Sequence, residues 1–403
     1  MTTTFSRKVR AAALALAIGA TGTLTAVESA GAQTVAPLQS CVTGRLVHTY
    51  NLVKEPVPGW SITPFDADTG QANEKLTDSA VTDANGRFRF CFTSIDVDRI
   101  STAFGSYPVT SLQDVYVWAN PHNLSTRTFV FNGEYYSTAT EFGVRPVTNL
   151  TWDYQSPVRK EIPSGVTTDL GDLSISANPL GQISADLAAV EAWLPKSSAG
   201  CRDRRDTTCP TRFVYRIGNE IVIVPDTRRP SEFVSGSLTD RASSIDAISR
   251  SVLVDVYEGP GPFGRPAECP AGQYHCWRSA INDAGYGNYA FGFGTAQWMT
   301  ASILKTNRIK GYDLESVDAT TAGWATGNSV EGRVAAGLID ISDARNEGGD
   351  KLAEGDRVPG KIWTTITDRL PLTFSDFVAK RAAGGFDTGA NFDSTLAHNT
   401  LTR

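Results

Sequence analysis

The hydrophobic pattern changes period once along the chain, near Ser176, and that change limits the folds open to it. From Cys41 to about Ser176, apolar and polar residues alternate in short runs separated by turn residues. Val42–Val47, Trp60–Phe65, Arg87–Cys91, Asp114–Trp118 and Arg127–Phe131 are examples. A period of two, rich in β-branched and aromatic residues and recurring about every ten positions, predicts an antiparallel β-sandwich. Asp83-Ala84-Asn85-Gly86 reads as a hairpin, because Asn and Gly adopt positive φ at little cost. Asp66-Ala67-Asp68-Thr69-Gly70 starts like a calcium loop but lacks the third acid and the expected Gly, and reads as a turn.

Beyond Ser176 the period lengthens. Ser184–Trp193 behind a capping Ser, Ser244–Tyr257, Val330–Ile341 and Lys361–Leu370 all predict helices. In the second of these, Ile245, Ile248, Val252 and Val256 form one apolar stripe. Phe213–Ile217 and Ile221–Val224, flanking Gly218-Asn219, predict a hairpin. The expected fold class is α+β and multidomain, with an antiparallel β-sandwich over residues 33–176 and a mainly helical domain over 177–403.

Residues 1–32 are expected to lie outside the fold. Arg7, Lys8 and Arg10 precede a short apolar run, and Ala30-Gly31-Ala32 has the small-x-small pattern of a signal-peptidase site. Its removal takes the chain's 37 basic and 43 acidic side chains to 34 and 42, because Arg7, Lys8, Arg10 and Glu28 leave with it. An acidic chain without a basic block argues against nucleic acid and anionic lipid as partners. The apolar run is too short to span a bilayer. A secreted, extracellular monomer is expected.

Export makes the six cysteines readable as disulfides, with Cys41–Cys91, Cys201–Cys209 and Cys269–Cys276 as locally plausible pairs among 15 connectivities. A zinc cage is the weaker alternative, because no C-x-x-C occurs. Only four His are present: His48, His122, His275 and His398. His275, beside Cys276 and Trp277, is read as structural. Gly285-x-Gly287 and Gly292-x-Gly294 sit in an aromatic stretch without the strand–turn–helix setting of a phosphate cradle. No G-x-S-x-G occurs, and a dispersed Ser-His-Asp set is not readable from sequence.

Two resemblances add to this reading. Gly44-x-Leu46, Pro56-x-Pro58-Gly59-Trp60-x-Ile62 and Thr82-Asp83-Ala84-Asn85-Gly86-Arg87-Phe88-x-Phe90 resemble the transthyretin-like, carboxypeptidase-regulatory-type sandwich over about 55 residues. That likeness implies architecture more than activity. In the second half, roughly residues 243–380 resemble the catalytic domain of secreted bacterial zinc metallopeptidases of the HExxH, gluzincin-like type. The likeness is carried by Val256-Tyr257-Glu258-Gly259, the Cys269…Cys276-Trp277 loop, Asp283–Tyr289 and, most specifically, Ser329–Asp343.

Such enzymes need two His at i and i+4 on a helix, a Glu between them as general base, and a later Glu as third zinc ligand. The resemblance puts Ser249 and Leu253 at the His positions, Arg250 at the base position and Ala284 at the later Glu position. A fixed guanidinium at ~4 Å from a divalent ion is repelled by several kcal/mol. No metal, cofactor or catalytic residue is therefore expected. The implied function is that of an inactive metallopeptidase homologue binding a peptide, protein, glycan or cell-surface ligand through the former groove. The alternatives are an active hydrolase with non-standard residues and a structural or adhesive exoprotein.

Candidate binding residues are the aromatics Tyr286, Tyr289, Phe291 and Trp298, with Phe293 in the same stretch, and the charged Glu331, Arg333, Asp340 and Asp343. Core packing and helix-face ion pairing are the competing roles. Arg250 is also expected to pair with Asp340 or Asp343 in place of the metal.

Overall fold

In a computed structural model of the chain, residues 39–403 are described apart from 51–52, 68–73, 94–95, 103–104, 112, 122–127, 138–141, 147–153, 158–161, 176–178, 196–211, 225–233, 265–279, 345–349 and 353–359. The chain starts with strands β1 (Gln39–Tyr50), β2 (Val53–Pro56), β3 (Ser61–Asp66), β4 (Glu74–Lys75), β5 (Ala80–Val81) and β6 (Arg87–Thr93). There follow β7 (Asp96–Thr102), β8 (Gly105–Ser111), β9 (Val115–Asn120), β10 (Thr128–Ser137), β11 (Phe142–Pro146), β12 (Tyr154–Gln155) and β13 (Thr167–Ser174). Each of the five runs of alternating residues named above overlaps a strand, except that Arg127 lies outside the described residues.

β1 is the spine of one sheet. It pairs antiparallel with β6 along its first half and with β2 along its last residues, and its other edge takes β13 in parallel. A second sheet runs β12-β9-β3-β4, with β5 also on β3. Their alternating residues enter one core: Val42 and Leu46, Phe88, Phe90 and Phe92, Ile62, and Val115 and Val117 are all buried in it. Antiparallel pairing dominates, but β1–β13 and β10–β14 are parallel, which the alternation alone does not reveal.

The Asp83–Gly86 turn forms as expected: Asp83 Oδ1 accepts from the Asn85 and Arg87 amides, each at 2.8 Å. Gly86 has φ +72°, and a Cβ there would lie 2.4 Å from the Leu46 carbonyl, so only glycine fits. The turn does not close a hairpin within one sheet. It passes from β5, on β3, to β6, on β1, because a two-residue β5 leaves no ladder for β6 to extend. Asp66 is buried in β3 with its carboxylate on the Asp114 amide at 2.9 Å, and the rest of the calcium-like stretch, Asp68–Gly70, lies outside the described residues.

The second half holds α1 (Pro179–Trp193), β14 (Arg212–Ile217), β15 (Glu220–Val224), β16 (Val234–Ser237) and α2 (Arg241–Val256). It continues with α3 (Gly287–Leu304), the short β17 (Arg308–Ile309) and β18 (Tyr312–Asp313), α4 (Glu331–Ser342), α5 (Lys361–Arg369), α6 (Phe374–Ala383) and α7 (Ala390–His398). The Gly218-Asn219 hairpin is present as β14–β15, in register from Ile217↔Glu220 outward. A sheet of order β11-β10-β14-β15-β16 draws strands from both sides of residue 176.

α1 begins five residues before the expected cap, at Pro179, whose fixed φ suits a first helical position. Ser184 therefore lies inside the helix, where its hydroxyl takes the Trp60 indole N–H at 2.5 Å. α2 starts at Arg241 rather than Ser244, because Asp240 is the cap and accepts from the Ala242 amide. The fold is thus α+β, with predominantly antiparallel sheets in the N-terminal part and helices in the C-terminal part. One continuous hydrophobic core runs from Val42 to Leu401.

α3 is the central helix of the second half, packing against α1, α2, α4 and α6. Every residue from Tyr289 to Ser302 is buried. A helix wrapped on all sides has no polar face, so the periodic signal that betrays a surface helix is missing. Gly294 permits the close approach of α4: a Cβ there would sit 2.8 Å from the Glu331 carbonyl and from Val334.

Candidate functional site

The helix that the resemblance makes the metal-bearing one is α2. Ser249 and Leu253 lie one turn apart on it and are 0% and 1% exposed. Leu253 belongs to the hydrophobic core. The Ser249 hydroxyl is buried without a hydrogen-bond partner among the described residues. Ala284, at the third ligand position, is on the surface, in an isolated antiparallel bridge with Val330. Two of the three positions are thus interior and the third faces solvent.

Arg250 does not reach Asp340 or Asp343. Its guanidinium makes an ion pair with Asp246, one turn earlier on α2, at 3.2 Å, and donates from Nη2 to the Ser235 carbonyl at 2.7 Å. It also lies over the Phe293 ring at 5.2 Å. An acid on the same helix face wins over acids on another helix because i,i+4 spacing brings the groups together without backbone movement. Asp340 instead accepts from Asn399 Nδ2 at 2.6 Å, and Asp343 ends α4 with its amide on the Ile339 carbonyl.

A zinc ion does not fit these residues. Ser249 offers one neutral oxygen, Leu253 and Ala284 offer none, and the Arg250 charge is spent on Asp246 and a backbone carbonyl. No group of three His, Cys, Asp or Glu able to hold a metal occurs among the described residues. His48 is buried in β1, and burial holds its imidazole below the usual range against the opposing pull of Glu55. His398 closes α7, and His122 and His275 lie outside the described residues, as do Cys201, Cys209, Cys269, Cys276 and residues 1–32. Cys41 and Cys91 face each other in the β1–β6 ladder and form a disulfide.

The aromatic stretch turns inward. Trp298 is fully buried, gives its indole N–H to Ser342 at 2.9 Å and meets Trp193 edge-on. Phe291 packs on Phe377, and Tyr289 sits between Tyr286 and Phe293. Phe291 and Trp298 are therefore packing residues, shut off from any ligand; of the four aromatic candidates, Tyr286, at the start of α3, keeps partial exposure. Burying four large aromatic side chains on a helix packed on every side satisfies each ring better than a wet surface does.

The charged residues of α4 are interior as well. Glu331 takes Lys310 Nζ at 3.0 Å and the Gln297 amide. Arg333, 1% exposed, gives Nε to the Ala325 carbonyl at 3.1 Å and Nη1 to the Asp318 carbonyl, and lies over Trp324. Each charge is met by a named partner, so these are ties between α4 and the 305–325 segment. Lys310, Gln297 and Trp324 were not singled out in the sequence. Their pairing with α4 spans up to 34 positions and leaves no local pattern.

Residues 268–400 match the family described as the mycolysin C-terminal domain. The match takes in Ala284, α3 and α4 but starts after α2, the helix of Ser249, Arg250 and Leu253. No curated protein matches the chain. Among solved structures, a 9R-lipoxygenase from Cyanothece PCC8801 aligns with 10% identity over 89% of this chain and 66% of its own, at a TM-score of 0.20. A likeness that slight carries no argument. No helix among the described residues is long and apolar enough to cross a membrane. The family match makes the C-terminal region of this chain metallopeptidase-like.

Proposed function

We propose that the chain is an exported, catalytically inactive relative of secreted metallopeptidases that works by binding a peptide, protein or cell-surface ligand. The observation that carries this reading is the state of α2. Its two ligand positions hold a buried hydroxyl and a core leucine, and its base position holds an arginine already paired with Asp246. A metal-dependent hydrolase needs three donors and a base around an open coordination site, and α2 supplies neither donor pair nor base.

In this reading residues 1–32 are a signal peptide, residues 33–176 a transthyretin-like sandwich and residues 177–403 a degenerate metallopeptidase-like domain. Among the described residues, the exposed part of Tyr286 and the surface loop around Ala284 are the proposed contacts for a ligand. The protein needs no cofactor. The test is proteolysis: the purified mature protein is expected to leave casein intact with or without added zinc. Cleavage abolished by a chelator would reject the proposal.

A further inference from the structure

Where β2, α1 and α2 meet, one guanidinium serves two carboxylates. Arg241, the first residue of α2, places Nη1 2.5 Å from Glu55 Oε1 on β2 and Nε 2.8 Å from Asp186 Oδ1 on α1. The other groups facing this point do not redress the balance. His48 stands opposite Glu55 in the β1–β2 ladder, and its burial keeps it neutral near pH 7. Lys54 is turned away to Asp172 at 3.0 Å, and α3, which also packs on α1, carries no charged residue. Two acids against one cation leave an uncompensated negative charge in a buried place, which is strongly unfavourable.

A proton removes that charge, and the geometry says where it goes. The Glu55 side chain keeps 23% of its exposure, whereas that of Asp186 keeps none. Asp186 Oδ2 accepts no hydrogen bond among the described residues. The Ser244 hydroxyl, one turn along α2 from Arg241, lies beside this carboxyl and favours its ionised form, but less strongly than burial disfavours it. The fully buried carboxyl of Asp186, and not the partly exposed one of Glu55, is therefore where the proton settles.

We infer that Asp186 carries a proton in the folded protein near neutral pH and acts as a proton-dependent latch holding α1 to β2 and α2, tightened by acid and slackened by alkali. Burial pushes its carboxyl up to about 7, overcoming the opposing pull of Arg241. The folded value is above the unfolded one, so the latch's contribution is complete below about pH 4. It is lost as pH rises through about 7. Arg241 also holds β2 through Glu55, a contact that does not involve Asp186, so the effect is a loosening of α1.

The test compares thermal unfolding of the full chain and of Asp186→Asn, which keeps the neutral shape, between about pH 5.5 and 8.5. The wild type is expected to lose several degrees of melting temperature over that window, roughly as the size scaling of unfolding entropy allows. The variant should lose distinctly less and equal or exceed the wild type at the alkaline end. An Asp186→Asn protein less stable than wild type by a constant amount at every pH overturns the inference. If the variant fails to fold, carboxyl-carbon NMR of the wild type decides. A side-chain carboxyl titrating between about pH 6 and 8 that is assigned to Asp186 supports the latch, and an Asp186 ionised down to about pH 4 ends it.

Discussion

α2 and α4 are both buried helices with several polar residues, and they treat those residues in opposite ways. On α4, Glu331 is met by Lys310 and Gln297, Arg333 by two carbonyls and a Trp ring, and Asp340 by Asn399. On α2, the hydroxyl of Ser249 and the Nε of Arg250 are buried without a partner among the described residues. A paired buried group costs little net free energy and fixes how elements dock. An unpaired one costs about 1–3 kcal/mol. α4 is thus built as a structural tie. α2 holds polar atoms its surroundings do not use.

The contrast can be broken experimentally, and the largest effect is expected on α4. Arg333→Met should lower stability by about 3 kcal/mol in denaturant unfolding, because it strands the Asp318 and Ala325 carbonyls and removes a ring contact. A loss below about 1 kcal/mol would mean that the α4 charges are not the ties proposed. Arg250→Ala should cost less, about 2 kcal/mol, since it uncovers the buried Asp246 carboxylate, whose exposure is only 3%. An unchanged melting temperature would remove Arg250 from the structural account. Ser249→Ala should be the smallest change. Removing an unsatisfied hydroxyl from a core is neutral or stabilising by up to about 1 kcal/mol, and a clear destabilisation would show that the hydroxyl has a partner after all.

The same contrast explains what was legible in the sequence. Strands such as Arg87–Thr93, with Phe88, Phe90 and Phe92 all inward, carry their own signature because one face is buried and the other is wet. α4 and α5 were readable to within a residue or two for the corresponding helical reason. α3 was not, because a helix buried on every side, with no separate polar face and with Gly292 and Gly294 in it, looks like a glycine-rich aromatic loop. The helix starts at Pro179 and Arg241 were missed in favour of Ser184 and Ser244: a Ser ahead of an apolar stripe, as at Ser184, mimics a cap, and at Ser244 the apolar stripe itself begins.

At the candidate site, residue types were legible and placement was not. That His and Glu are missing from α2 is a matter of reading letters. That Phe291 and Trp298 point into the core, and that Arg250 finds Asp246 instead of Asp340 or Asp343, depends on how helices pack. The Arg241, Asp186 and Glu55 cluster joins groups up to 186 positions apart and has no local trace at all.

The central claim is that α2 and the Ala284 loop do not make a zinc site. Equilibrium dialysis of the folded protein against zinc, followed by elemental analysis, measures it directly. Zinc far below one equivalent, with no shift of the unfolding midpoint on adding the metal, is the predicted result. One tightly held equivalent that raises the midpoint, and is lost on mutating Ser249 or residues beside it, would contradict it.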